Sequence, residues 1–270
     1  MPRSRRESMI DPRSMVAGVE WPALQSGPTA SMLALQYQLD AIQWLPEDAI
    51  RARQLEQIDV LLRHAYDASP FWRARLVAGG YDFEQELSET MFAAIPPLSR
   101  LDVQRAGEGL HISDVPPAHR PLSERRTSGS TGMPVRALQT AITSLLWLEI
   151  TARDHLWHRR DFSAKLAVVR SGVEPGVVGG WGPAWHASSA SGVCALLPIS
   201  ADIDTQWRWL LEHDPHYLLS YGSSLRLLAL RSIETGARLN NLREVRSFGE
   251  CLPADLRALC RQAWGVPVTD

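Results

Sequence analysis

Lysine is nearly missing from this 270-residue chain: Lys165 stands alone beside 27 arginines. A Walker-type phosphate loop needs a Gly-Lys-Ser/Thr step, so that motif is excluded. Cysteine is scarce as well, and Cys194, Cys251 and Cys260 include no close pair at metal-ligand spacing. A Gly-x-Ser-x-Gly nucleophile elbow and a dinucleotide-binding glycine fingerprint are both absent. No apolar run reaches the length of a bilayer span. The cluster Arg3, Arg5 and Arg6 is not followed by an apolar segment, so it reads as neither a signal peptide nor an anchor. A net charge of −2 lacks the basic footprint of a nucleic-acid binder. These absences lead to the expectation of a cytoplasmic protein with neither a membrane nor a nucleic acid as partner.

What is present is a globular composition, 45% hydrophobic and 21% charged. The most informative stretch is Arg126-Thr127-Ser128-Gly129-Ser130-Thr131-Gly132-Met133-Pro134. Gly129 and Gly132 let backbone approach a ligand without a Cβ in the way. Thr127, Ser128, Ser130 and Thr131 add hydroxyl donors to the N–H groups of the loop, a combination suited to phosphate oxygens. A helix is expected within a few residues, with its N-terminal dipole favouring an anion. The same composition also marks ordinary linkers.

The rest of the chain reads as an α/β pattern. Residues 1–28 lack periodicity and are expected to form a flexible arm. Helical stretches follow near 30–45 and 47–67, divided at Pro46; the second has Leu55, Ile58, Leu61, Leu62 and Ala65 as an apolar stripe. Ser69-Pro70 and Ser99 read as helix starts. A long helix is expected over 139–159. Short apolar runs at 166–169, 194–197, 217–220 and 245–248 read as buried strands, alternating with helices near 204–213, 223–235 and 254–264. Residues 171–193, with Gly179-Gly180-Trp181-Gly182 and Trp185-His186, read as a loop. The alternation implies a mostly parallel sheet flanked by helices. Asp154, His155 and His158 share a helical turn but read as a solvated face, and no metal site is expected.

Four further segments surround the hydroxyl-rich loop in a fixed order. They are Leu61-Leu62-Arg63-His64-Ala65-Tyr66 with Ser69-Pro70-Phe71-Trp72; Ile95-Pro96-Pro97-Leu98-Ser99; Tyr221-Gly222-Ser223-Ser224-Leu225; and Phe248-Gly249-Glu250. With the loop, this series resembles the phenylacetate–CoA ligase-like family of the adenylate-forming superfamily. Gly222 stands where that family usually has proline. The resemblance implies the N-terminal domain of an adenylate-forming enzyme over residues 29–270, and ATP-dependent ligation through an acyl-adenylate. ATP, Mg2+ and coenzyme A would take part, with a small-molecule carboxylic acid as substrate. It further implies that Thr127, Ser128, Gly129, Ser130, Thr131 and Gly132 hold the phosphates and that Gly249 and Glu250 border the adenine. Trp185, His186, Tyr221 and Ser223 would shape the acyl pocket.

Each role has a structural alternative. Trp185 and His186 could pack a loop, Tyr221 could be a core tyrosine with a satisfied hydroxyl, and Glu250 could cap the following helix. Arg136 lies where relatives often carry a phosphate-assisting lysine. The family also continues into a Tyr-Gly-x-x-Glu segment, whose glutamate is associated with magnesium, then a ribose-binding aspartate and a mobile domain with an adenylation lysine. None of these occurs here. The chain is therefore expected to be the larger part of an adenylation domain, incomplete at its C-terminus and inactive by itself. An interrupted sheet would expose an edge, favouring poor solubility or a homodimer. The competing reading is a non-catalytic nucleotide-binding or scaffold relative that ends naturally at Asp270.

Overall fold

The computed structural model describes residues 14–19, 22–112, 114–126, 135–183 and 191–270. They fall into two compact units, residues 31–149 and residues 1–30 with 150–270.

In the first of these, the helices are α1 (Gly27–Ile42, whose first residues belong to the other unit), α2 (Glu47–Ala68), α3 (Pro70–Ala78), α4 (Glu89–Ala94) and α5 (Arg100–Ala106). Pro46 directly precedes α2, and the Ser69 side chain accepts from the Trp72 N–H at the start of α3. Ser99 and Asp102 form a reciprocal capping box on α5, satisfying donors that the first helical turn leaves orphaned. Leu76, Tyr81 and Leu87 form a small core, with Leu55, Ile58, Leu62 and Tyr66 of α2 packed on it. Leu61, counted in the α2 stripe from sequence, is 60% exposed. The stripe that packs advances from Ile58 to Leu62 rather than to Leu61.

Beyond α5 the chain forms an antiparallel pair not expected from sequence, β1 (Leu122–Arg126) and β2 (Arg136–Thr140), with Arg126 opposite Arg136. The expected start of the long helix at 139 shifts accordingly. Residues 136–140 are taken by the strand ladder, and α6 runs Ala141–Trp157. Thr140 caps α6, its hydroxyl accepting from the Thr143 N–H at 3.1 Å.

The second unit is built on a six-stranded sheet. Its strands are β3 (Leu166–Arg170), β4 (Gly176–Val178), β5 (Cys194–Pro198), β6 (Tyr217–Ser220), β7 (Glu244–Ser247) and β8 (Val268–Thr269). The spatial order is β4-β5-β3-β6-β7-β8, parallel throughout except for β4, which runs antiparallel at one edge. The parallel α/β architecture expected from the alternating pattern is thus present. Strand β4 lies inside the stretch read as loop. Its three residues are all exposed, so no buried apolar run announced it.

Three helices connect the later strands: α7 (Ile203–His213), α8 (Gly222–Thr235) and α9 (Leu256–Trp264). All three cover one face of the sheet. Side chains alternate along a strand, so Ala167, Val169, Leu218, Val245 and Val268 meet Leu210, Leu225, Leu228, Leu256 and Cys260 in one core. On the opposite face Leu166, Val168, Cys194 and Tyr217 form a second apolar cluster with Trp181.

Toward β7 and β8 that second face turns ionic. Arg160 is 1% exposed and grips Glu244 with two hydrogen bonds, Nε to Oε2 at 2.8 Å and Nη2 to Oε1 at 2.6 Å. Its Nη1 donates to Asp154 at 2.6 Å, Arg246 donates to the same carboxylate oxygen at 2.7 Å, and the Thr269 hydroxyl donates to Glu244 at 2.6 Å. Burial alone would raise the Asp154 and Glu244 carboxyls. The facing guanidiniums and their hydrogen bonds outweigh it and hold both below the usual range. The surface reading of this turn holds for His158, which is exposed, and is corrected for the other two: Asp154 is committed to two arginines, and His155 is buried against Phe162 and Trp181. Burial, then the nearby Arg246 and Arg160 charges, push the His155 imidazole down to about 3.

Two outcomes follow for stability. Glu244→Gln, which leaves a buried guanidinium undercompensated, should cost about 3–5 kcal/mol in chemical denaturation. Glu234→Gln, which breaks a solvent-facing pair with Arg231, should leave the denaturation midpoint close to that of the parent. His155 stays neutral when folded but takes a proton when unfolded below pH about 6.5. The unfolded state therefore binds the extra proton as pH falls from 6.5 toward 3, and stability declines across that window. The depressed carboxyls add their loss only below the ordinary carboxylate range, about pH 4. Thermal melts should show His155→Phe removing much of the fall between pH 6.5 and 4.5.

Candidate functional site

In an open parallel sheet, ligands bind outside the carboxyl ends of the strands, where successive connections leave in opposite directions. Here the chain passes from β3 to β5 on one side, then returns to β6 on the other, so the switch point lies between β3 and β6. The register Leu166↔Tyr217 through Val169↔Ser220 brings the two carboxyl ends level. The buried Ser220 hydroxyl donates to the Val169 carbonyl at 2.8 Å and fastens these ends together.

Residues predicted from sequence converge here. Tyr221 follows β6 directly, and its ring lies 4.6 Å from that of Phe248, which follows β7. Tyr221 shares a 2.7 Å hydroxyl–hydroxyl hydrogen bond with Ser171, the residue after β3. Gly249 has φ +73°, a conformation L side chains rarely adopt, and a Cβ there would meet the Tyr221 ring at 3.4 Å. Glycine at 249 thus fits both the turn and the ring beside it.

Glu250 caps a helix, but not the one expected. It reaches back to α8 and accepts the Ser223 N–H at 2.9 Å, near the positive end of that helix. The neighbouring Gly222 is buried, and a Cβ there would lie 2.8 Å from Cδ of Pro253. This contact explains why residue 222 carries no side chain. Arg226 and Asp255 add an ion pair at 2.8 Å between α8 and the segment leading into α9. Tyr221, Ser223, Gly249 and Glu250 therefore belong to one interlocked pair of turns. Tyr221 and Phe248 are half-buried, whereas Ser223, Gly249 and Glu250 are exposed. The arrangement offers an aromatic surface and a fixed carboxylate at the mouth of the sheet.

Thr127, Ser128, Gly129, Ser130, Thr131 and Gly132 are outside the described residues, as are Trp185 and His186. The strands flanking the hydroxyl-rich stretch are described: β1 ends at Arg126 and β2 begins at Arg136. Strand β2 takes the residues directly after this stretch, and the helix expected to follow it, α6, begins at Ala141, two residues later than read from sequence. The Arg136 guanidinium is occupied by Glu108 and Glu124, each at 2.6 Å. Ser171 was not singled out from sequence. It is one small residue in a glycine-rich stretch, and only the pairing of β3 with β6 reveals its partner. Among the described residues no group of three or more His, Cys, Asp or Glu could hold a metal. No described helix is long and apolar enough to cross a membrane.

No protein-family profile matches the chain. No curated protein matches it either. Solved structures do. The chain is similar to 2-hydroxyisobutyryl-CoA ligase in complex with 2-HIB-AMP and CoA in the thioesterification state, with 18% identity and a TM-score of 0.59 over 83% of this chain and 49% of that one. An open conformation of that ligase with the same two ligands gives 16% identity and a TM-score of 0.60, over 83% and 53% of the respective chains. Its postadenylation state with 2-HIB-AMP gives 17% identity and a TM-score of 0.60, over 83% and 48%. The chain thus spans about half the length of these solved structures, 48–53%. At such identity the likeness is one of fold: a mixed α/β unit with a parallel sheet flanked by helices.

Proposed function

We propose that the chain carries part of the nucleotide- and acid-binding apparatus of an ATP-dependent acid–CoA ligase of the adenylate-forming type. The observation that carries this reading is the convergence of Tyr221, Ser223, Gly249 and Glu250 at the switch point. These residues come from two segments singled out by family resemblance, in a fold shared with a ligase crystallised with acyl-AMP and CoA. The phenylacetate–CoA ligase-like branch, residues 29–270 as part of an adenylation domain, and a cytoplasmic location belong to the same proposal.

The chemistry has two steps. A carboxylate oxygen attacks the α-phosphorus of ATP, forming the acyl–phosphate bond as pyrophosphate leaves. The thiol of coenzyme A then attacks the acyl carbon, and AMP departs with the bonding electron pair. Such a reaction asks the protein for alignment and charge stabilisation more than for covalent help. Hydroxyls and backbone N–H groups of the 127–132 stretch would hold the β- and γ-phosphates. The backbone at Gly249 and Glu250 would border the adenine, and Tyr221 and Ser223 the acyl group, with Trp185 and His186 nearby. Glu250 already accepts the Ser223 N–H, so its part is to fix the turn that borders the base. Mg2+ would enter with the nucleotide on the phosphate oxygens. The described residues do not offer it a ligand cluster, and none of them is assigned to it.

Calorimetric titration should detect ATP binding to the 270-residue chain. Ser128→Ala and Thr131→Ala should each weaken it about tenfold, the effect of losing one hydrogen bond to a charged group at about 1.5 kcal/mol. Their melting temperatures should stay close to that of the parent. Absence of ATP binding would overturn the ligase reading. Acid-dependent ATP–pyrophosphate exchange by this chain alone should be weak or undetectable, because the family's adenylation lysine has no counterpart in it. Robust exchange would refute that expectation. Testing the chain joined to any coding sequence found downstream would separate a ligase from a non-catalytic relative.

A further inference from the structure

Helix α8 buries one face, but its other face is not polar. Leu225, Leu228 and Ala229 are fully buried in the core of the second unit. Leu227, Leu230 and Ile233 stay 51%, 38% and 36% exposed, along a groove of about 560 Å³ shared with Ile203 of α7. Large aliphatic side chains scattered singly on a surface need no explanation, whereas a contiguous group of them marks an interaction site.

The charges around the stripe identify its partner. Arg226, Leu230 and Glu234 follow one another at four-residue steps, and Leu227, Leu230 and Ile233 at three-residue steps, so two rows cross at Leu230. Turned end for end about Leu230, the face maps onto itself: Leu227 and Ile233 exchange places, and so do Arg226 and Glu234. An isologous two-fold contact requires this kind of self-complementarity. The ion pairs within the chain extend it. Arg226 pairs with Asp255 at 2.8 Å, Glu234 pairs with Arg231 at 2.6 Å, and Arg231 pairs with Asp204 at 2.8 Å. Signs would therefore alternate from Asp255 and Arg226 of one copy to the partner's Glu234, the partner's Arg231 and the partner's Asp204. Neither sign dominates the face, so a uniformly acidic or basic partner would meet as much repulsion as attraction.

We infer that this face of α8 is a homodimer interface, with the two copies of α8 running in opposite directions and Leu230 on the two-fold axis. A crossing angle of about −50°, the commonest packing class, lays the four-residue rows side by side at an interaxial distance of about 8–10 Å. Arg226 then lies beside the partner's Glu234. The contact differs from the sheet-edge association expected from sequence, and it does not depend on the ligase reading. A single helix pair falls below the roughly 1,200 Å² of stable interfaces, so the dimer is of the reversible kind.

The test is sedimentation equilibrium of the full 270-residue chain, in a concentration series reaching about 100 µM. The parent should pass from monomer to dimer across the series. Leu230→Arg, which sets two cations face to face on the axis, should raise the dissociation constant at least about tenfold. Arg226→Glu and Glu234→Arg should each weaken association in the same direction. Combined, they restore opposite charges across the interface, and the dissociation constant should return to within about threefold of the parent's. A role confined to the intrachain pairs predicts the reverse, because the combined variant breaks both pairs and would add the two losses. These positions face solvent, so circular dichroism melts should match the parent's. Should Leu230→Arg nevertheless fail to fold, the charge series decides alone. A parent that stays monomeric overturns the inference. So does a dimer that survives all the single substitutions, which would place the contact on another surface such as the sheet edge. Weakening by both single reversals without recovery in the combined variant overturns it too.

Discussion

The sheet of the second unit depends on one buried contact, the two-point grip of Arg160 on Glu244. A guanidinium 1% exposed to solvent is tolerable only where its donors are answered, and here Glu244, Asp154 and Thr269 answer them. The same contact ties the turn after α6 to β7 and, through Thr269, to β8. It therefore fixes the strand whose carboxyl end carries Phe248, Gly249 and Glu250. Replacing the network with apolar side chains could give an equally stable sheet. What the ions add is direction: each donor accepts few geometries, so β7 and β8 are held in one register.

The candidate site shows the opposite economy, with small residues where the network uses large ones. Gly222 lies against Pro253, Gly249 lies against Tyr221, and a single carboxylate closes the gap by capping α8. Two turns from different strands can interlock this closely only because two side chains are absent. The two turns are thereby held in one arrangement by contacts within the chain itself.

Sequence and structure agree where burial writes a pattern. Apolar runs marked β3, β5 and β6, and periodic leucines marked α8 and α9, because those segments face the core on one or both sides. Strands β1 and β2 were missed because their exposed, arginine-bearing stretches lack a buried alternation, and β4 because all its residues face solvent. The partnership of Arg160 with Glu244 spans 84 residues and leaves no local trace. At the site, Tyr221, Ser223, Gly249 and Glu250 were legible through family resemblance, not through periodicity. Ser171 was not legible at all, since its significance is a distance between two strand ends.

The position of β3 has a consequence for how the chain acquires its structure. It precedes every other strand of its sheet in sequence yet takes an interior place, flanked by β5 and β6. Its partner on the β6 side lies 51 residues further along. A chain emerging from the ribosome therefore presents Leu166-Ala167-Val168-Val169 with both edges unsatisfied until those later strands have been made. Parallel pairing across such separations is slow, because loop closure must come before the contacts that repay it. The most deeply buried strand of the folded unit is thus the one with the longest wait in the open, and the segment on which aggregation during synthesis would begin.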